Sequence, residues 1–222
     1  MAKLQLGDLN GIGKGANKRW IYKDSLKLEL AHDYLQKVSY SMQDINYLLK
    51  DGSRIKKRTD ILSLIVMADW IADSVWQYKN CLQPGLLDDF CFSDQEALSK
   101  SRSFIKGIRS FIIAHPLNTE KHEQFGFDGD VVCIDLRTVK PFFLDYEKDV
   151  ERVGLDGVRN YGGEREYDFY LYAYSKQENA EYFKHIVIDL EEVLLAAKTY
   201  VLQLYEIDFF LSKLKMKDYA AK

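Results

Sequence analysis

The stretch from Asn179 to Met216, NAEYFKHIVIDLEEVLLAAKTYVLQLYEIDFFLSKLKM, decides the fold class of this chain. Its apolar residues recur at alternating spacings of three and four, the period of one face of an α-helix. They are Phe183, Ile186, Leu190, Val193, Ala197, Tyr200, Leu204, Ile207, Leu211 and Leu214. A helix of this length would extend about 57 Å. The stretch therefore predicts a long C-terminal helix, part of which packs on a second copy of the chain.

Three earlier segments have the same period. The first helix is predicted from near Asp24 to Asp51-Gly52, the second from about Thr59 to Cys81, and the third from Ser93 or Asp94 to His115. Pro116 disfavours the α conformation of the residue before it, so we expect His115 at a helix end. These segments predict a mainly α protein with a four-helix-type bundle.

The segment from about 118 to 175 differs, because residues Tyr167 to Tyr174 alternate in the way that is typical of a half-buried strand. We expect a small antiparallel β insertion there. Residues 1 to about 20 are expected to form a flexible leader, and residues 1–222 a single domain. The glycines of GDLNGIGKGAN do not match a phosphate-binding loop, since Asp8 stands where its first glycine is required.

Composition narrows the functional classes. The chain has 222 residues, with 31 basic and 34 acidic side chains and a formal charge of −3, so any nucleic-acid binding must come from a local patch. Its N-terminus lacks a signal-peptide pattern and no apolar run is long enough to cross a bilayer, which predicts a cytoplasmic protein without membrane contact. Three cysteines without a C-x-x-C pair argue against a disulfide framework and a cysteine-based zinc site. No metal and no cofactor are expected.

Arg109 and His115 are the strongest candidates for a functional pair. On a regular helix their side chains would lie a third of a turn apart and about 9 Å apart along the axis, so they would meet only if the helix end unwinds or a second chain contributes. A structural role is the alternative, with His115 bonding free carbonyls at a helix end and Arg109 on a solvated face. Arg102 and Lys106 lie on the Arg109 side.

The sequence IRSFIIAHP, Ile108 to Pro116, resembles the R-x(4-6)-H signature of the HEPN superfamily (higher eukaryotes and prokaryotes nucleotide-binding domains). The resemblance covers roughly Asp24 to Pro116 and Asn179 to Met216. It implies a dimeric, metal-independent endoribonuclease in which Arg109 stabilises the phosphate and His115 transfers a proton. Ser110 replaces the Asn or Asp that many members have after the arginine, and it is expected to orient the imidazole or donate to phosphate.

The resemblance also implies an RNA-binding strip that includes Arg102 and Lys106. It suggests a toxin, defence or stress role, with a protein antitoxin or inhibitor as a possible partner. The alternative is a non-catalytic HEPN-like helical module for interaction or for RNA or nucleotide binding. Two weaker candidates remain. A solvated face explains the Asp69 and Asp73 pair better than a cation site does. The strand face of Tyr170, Tyr172 and Tyr174 is open to three interpretations, namely contact with a second chain, a cover over the bundle, and stacking on bases.

Overall fold

A computed structural model describes residues 5–50, 57–114, 133–136, 142–143, 150–160, 166–167, 169–177 and 180–216 of the chain. Within them the fold is mainly helical, as predicted. The four helices are α1 (Ser25–Leu49), α2 (Arg58–Cys81), α3 (Gln95–Arg109) and α4 (Leu190–Lys213). A short 3-10 turn (Arg19–Ile21) precedes α1, and a π-helical turn (Ser110–Ala114) follows α3.

Polar side chains fix where two helices begin. Asp24 accepts a hydrogen bond from the Lys27 amide at 2.8 Å, and Asp94 accepts one from the Ala97 amide at 2.9 Å. A carboxylate at this position satisfies an amide that has no partner within the helix and interacts favourably with the helix dipole. The predicted starts of α1 and α3 are therefore confirmed.

The bundle core lies between α4 and the other helices. The apolar stripe of α4 packs against α2 and α3, and α1 packs on α2. The most deeply buried side chains of this core include Ile45, Ile71, Val75, Ala197 and Leu204. Burial of one such aliphatic side chain contributes roughly 1.5–3 kcal/mol to the free energy of unfolding. Because the apolar faces of α2 and α3 are buried in this core, their polar faces point toward solvent.

The predicted β insertion is present as a sheet of five strands among the described residues. They are β2 (Cys133–Leu136), β4 (Val150–Gly154), β5 (Gly157–Asn160), β7 (Phe169–Gln177) and β8 (Ala180–Ile188), in the order β2-β7-β8-β4-β5. All neighbouring pairs are antiparallel except β4 and β8, which run parallel. Two short strands, β3 (Phe142–Phe143) and β6 (Glu166–Tyr167), form a separate antiparallel pair.

The turn between β4 and β5 attaches this insertion to the bundle. The Leu155 amide donates to the Glu192 carboxylate of α4 at 2.6 Å, and Lys100 of α3 lies 3.2 Å from Asp156. A Cβ at Gly154 would overlap the Glu192 carboxylate, so a larger residue there would displace this side chain. The sheet is therefore held at the N-terminal end of α4.

The predicted start of the last helix, near Asn179, is wrong. Residues 180–188 form β8, which pairs with β7 along its whole length, for example Leu171 with Ile186. Ile186, Val187 and Ile188 are β-branched, and such residues pack well on a pleated sheet. Pairing with β7 therefore outweighs the local helical period, and α4 is shorter than predicted.

The third helix changes its hydrogen bonding before its predicted end at His115. Its regular hydrogen bonding stops at Arg109, and the next five residues, Ser110–Ala114, form a π-helical turn. Such wider turns change the angular relation between residues on either side and often occur near functional sites. His115 lies outside the described residues, so its position relative to Arg109 stays a prediction.

Residues 5–20, predicted as part of a flexible leader, instead pack against the bundle. The Gly15 and Ala16 amides donate to the buried Asp208 carboxylate of α4 at 3.0 and 2.8 Å. Lys18 donates to the carbonyl oxygens of Leu211, Ser212 and Leu214 at the C-terminal end of α4, at distances between 2.7 and 2.8 Å. A short strand, β1 (Asn10–Gly13), lies along α4. The sequence does not reveal these contacts because their acceptors are about 190 residues away.

No helix in the described ranges combines the length and apolarity needed to span a bilayer.

Candidate functional site

A cleft of about 450 Å³ opens between α2, α3 and α4. This volume falls in the range typical of sites for small molecules or single nucleotide units. Its polar and aromatic walls come from Asp69, Asp73, Trp76 and Lys79 of α2, and from Arg102, Lys106 and Arg109 of α3. Tyr200 and Gln203 of α4 complete the lining. Four cations thus face two carboxylates, which leaves the cleft positive within an acidic chain.

Helix geometry explains why these side chains converge. On α3, residues 102, 106 and 109 are separated by four and three positions, so they share one face. The opposite face carries Phe104 and Ile108, whose burial against the core fixes the rotation of the helix. The cleft residues of α2 follow the same three-four spacing. Packing of the apolar faces therefore directs the two polar faces toward each other.

Arg109 forms an ion pair across the cleft with Asp69. Its Nε lies 3.3 Å from Asp69 Oδ2, with the Arg109 side chain 50% exposed and the Asp69 side chain 17% exposed. A guanidinium that uses Nε in this way keeps its two terminal nitrogens for a second anion. Asp69 can thus hold Arg109 in place while the paired donors face the cleft.

The Asp69 carboxyl has a pKa raised above its usual value. Partial burial is the main cause, the negative charge of Asp73 adds to it, and the positive charge of Arg109 acts in the opposite direction. The folded protein therefore binds this proton more tightly than the unfolded chain does. The contribution of this group to stability is fully present below pH 3.8, the ordinary pKa of the carboxyl. It is lost as the pH rises through the higher pKa of the folded protein.

Asp69→Asn is expected to leave the free energy of unfolding at neutral pH unchanged or raised by up to about 1 kcal/mol, because it removes a partly desolvated charge. The amide oxygen can still accept from Arg109 Nε. Urea unfolding across a pH series measures this, with Asp44→Asn on the exposed face of α1 as the matched charge control. A lower stability of Asp69→Asn at neutral pH would contradict the interpretation.

Trp76 lies on the wall of the cleft, with two cations over its ring. Lys79 Nζ is 5.0 Å and Arg102 Cζ is 5.2 Å from the centre of its ring, and the side chain is 47% exposed. Burial, with a further effect of the Arg102 charge, lowers the pKa of Lys79. The ring thus presents an aromatic surface to solvent while holding positive charge beside it.

The α4 side of the cleft offers hydrogen-bonding groups. Burial raises the pKa of Tyr200 to about 12, with Arg102 opposing and Asp69 adding to the shift, so the phenol is neutral at physiological pH. Gln203 is only 4% exposed, and its Oε1 has no hydrogen-bond partner among the described residues. A buried acceptor without a partner costs about 1–3 kcal/mol. A ligand N–H that reached this oxygen would recover part of that cost.

The sequence-predicted site residues divide into three groups. Arg102, Lys106 and Arg109 all line the cleft. Ser110 is buried, its Oγ lacks a partner among the described residues, and it does not line the cleft. His115 lies outside the described part of the chain, so its meeting with Arg109 is still a prediction.

Sequence reasoning missed Trp76, Lys79, Tyr200 and Gln203. One signal was available, since Asp69, Asp73 and Trp76 are polar or amphipathic residues at helical spacing on an otherwise apolar helix. The interpretation of Asp69 and Asp73 as a solvated face did not include the α3 cations that lie across the cleft from them.

The predicted tyrosine face and the absence of a predicted metal site concern other parts of the chain. Tyr170, Tyr172 and Tyr174 lie on β7, which is paired on both edges, by β2 and by β8. Within the described residues, no three His, Cys, Asp or Glu side chains cluster at metal-ligand distance.

Comparison with models of protein families, with curated proteins and with solved structures finds no match to this chain.

Proposed function

We propose that the protein is a HEPN-like, metal-independent endoribonuclease that holds RNA in the cleft between α2, α3 and α4. The observation that carries this proposal is the convergence of Arg102, Lys106 and Arg109 beside the exposed ring of Trp76. Cations spaced along one helix suit the repeated phosphates of a strand, and an aromatic face suits its bases. This local positive charge can bind RNA although the chain as a whole has a formal charge of −3.

The reaction would use the RNA's own 2′-hydroxyl as the nucleophile. The 2′-oxygen forms a bond to the adjacent phosphorus while the bond from phosphorus to the 5′-oxygen breaks, which leaves a 2′,3′-cyclic phosphate and a 5′-hydroxyl. One proton leaves the 2′-oxygen and one is gained by the 5′-oxygen. In the proposal His115 exchanges these protons, since histidine is the side-chain type suited to proton transfer near neutral pH.

Arg109 would stabilise the charge that builds on the phosphate oxygens. Its Nε is already engaged by Asp69, so the two terminal nitrogens can form the paired hydrogen bonds that suit a phosphate. Such preorganised donors favour the transition state because they need no rearrangement during the reaction. Arg102 and Lys106, earlier on the same face of α3, would bind neighbouring phosphates and extend the track.

A homodimer is part of this proposal, with the Arg109 and His115 of each chain near the interface. Support comes from α4, where Leu195, Leu202 and Phe209 are at least 47% exposed and follow each other at intervals of seven residues. That spacing draws one apolar line along the outer face of the helix. A protein antitoxin or inhibitor is a further proposed partner, because an endoribonuclease in the cytoplasm would otherwise cleave the RNA of its own cell.

The test incubates the purified full chain with RNA in EDTA, next to His115→Ala. We expect cleavage that leaves cyclic phosphate ends, and a rate at least about 100-fold lower for His115→Ala, the scale of lost acid-base catalysis. Metal addition should leave the wild-type rate unchanged. Equal cleavage by both proteins would remove His115 from the mechanism.

The alternative is a non-catalytic HEPN-like module that binds RNA or a nucleotide, or that interacts with another protein. Two observations favour it: Arg109 is already paired with Asp69, and Ser110 is buried away from the cleft. Binding of RNA without cleavage in the same assay would support this module. Neither binding nor cleavage would leave protein interaction as its function.

A further inference from the structure

One part of the cleft lining, which we call the slot, consists of Trp76, Ala72, Leu98, Ile105 and Gln203 and excludes the cations that we propose bind phosphates. Trp76 forms one side of it, and the apolar side chains of Ala72, Leu98 and Ile105 contribute to the same lining. Gln203 belongs to α4, whereas the cations of the cleft belong to α2 and α3. The slot therefore combines flat or apolar walls with a buried polar group, which is the complement of a flat ring that carries hydrogen-bonding groups at its edge.

Gln203 is the observation that points to a ligand. Its side chain is more than nine-tenths buried, it lines the cleft, and its Oε1 has no partner among the described residues. Buried amide oxygens are normally satisfied, so an exception at the surface of a cleft calls for a donor from outside the chain. A phosphate cannot supply that donor, because its oxygens accept hydrogen bonds.

We infer that Trp76 and Gln203 form a subsite for one unpaired nucleobase, with the base stacked on Trp76 and an N–H of its Watson–Crick edge donated to Gln203 Oε1. The side-chain amide has an acceptor and a donor side by side, which matches the adjacent donor and acceptor on that edge. A base within a duplex has already used those groups. The subsite therefore selects single-stranded positions and makes Gln203 a specificity-determining residue.

The nearby cations fit this arrangement. Lys79 Nζ and Arg102 Cζ lie over the Trp76 ring, 5.0 and 5.2 Å from its centre, so a base that stacks on the ring shares it with these two cations. The phosphate of that nucleotide would then lie toward Lys106 and Arg109 on the next turns of α3. This inference rests on the proposed function, since it assumes that RNA occupies the cleft.

Binding of a short labelled single-stranded RNA to the full chain tests the inference by anisotropy, in comparison with an abasic ribose-phosphate strand of the same length. Gln203→Leu keeps a similar shape but cannot accept a hydrogen bond. We expect it to weaken binding of the RNA by about five- to tenfold and to leave the abasic strand unchanged. Trp76→Leu should weaken RNA binding on the order of tenfold, again without an effect on the abasic strand.

Lys106→Ala is the matched control for contact with the RNA backbone. It should weaken the binding of both strands equally and reduce the salt dependence of the affinity. Gln43→Ala, on the exposed face of α1 and outside the cleft lining, should change the binding of neither strand. If Gln203→Leu leaves RNA binding intact, or weakens both strands alike, the base subsite is wrong while the RNA-binding function stands. If the wild-type chain binds neither strand, the proposed function fails and the subsite with it.

A duplex of the same sequence provides a second readout. Wild-type protein should bind the single strand more tightly than the duplex, and Gln203→Leu should reduce that preference. Circular dichroism and urea unfolding of each variant confirm that the bundle is intact, since replacing an unpartnered buried amide by leucine should not lower stability. A preference that survives both Gln203→Leu and Trp76→Leu would overturn the assignment.

Discussion

Arg109→Ala is expected to lower the rate of RNA cleavage by a factor of about 100 to 1,000, the loss that follows removal of one preorganised donor to a developing negative charge. The effect on binding should be smaller, because Arg102 and Lys106 still contact the backbone in the proposed complex. Single-turnover cleavage with excess protein separates the two effects. Stability should change little, since the Arg109 side chain is half exposed and such ion pairs contribute about 0–1 kcal/mol.

Two variants control this result. Arg109→Lys keeps the charge but loses the paired donors, so it should recover binding more than rate. Arg19→Ala removes an exposed arginine that is not part of the cleft lining and should behave as wild type. Cleavage by Arg109→Ala within about threefold of wild type would exclude the proposed role and favour the non-catalytic module.

Gly15→Ala is expected to lower the free energy of unfolding by about 3 kcal/mol, at the upper end of the cost of overpacking. A Cβ at position 15 would overlap the backbone oxygen of Asp208 and lie 2.7 Å from Leu211 Cβ. Neither neighbour is the flexible end of a side chain, so the segment must move away from α4. That movement would also break the amide hydrogen bonds to the buried Asp208 carboxylate. Urea unfolding of the full chain measures the loss.

Gly7→Ala is the matched control, because a Cβ there meets no heavy atom within 4 Å. It should change the free energy of unfolding by no more than about 0.5 kcal/mol. Equal stability of Gly15→Ala and Gly7→Ala would mean that residues 5–20 do not stabilise the bundle in solution. The flexible leader predicted from the sequence would then be the better description.

Local sequence signals predicted the helical elements well where the helix period and the capping residue agree. Asp24 and Asp94 each precede an amphipathic segment, and each caps the helix that was expected. Around Ile186 the two signals separate, because the apolar period continues while β-branched residues accumulate and Asp189 precedes the real start of α4. Pairing with β7 decides that region, and a partner strand cannot be recognised from a helix-period count.

The sequence alone determined the four-helix class of the fold, the β insertion and the cationic face formed by Arg102, Lys106 and Arg109. These features depend on spacing along one element, which the chain specifies directly. Only the tertiary structure decided that Asp69 pairs with Arg109, that Trp76 and Gln203 join the same cleft, and that Asp208 holds Gly15. Those contacts join residues up to 193 positions apart, and packing of whole helices brings them together.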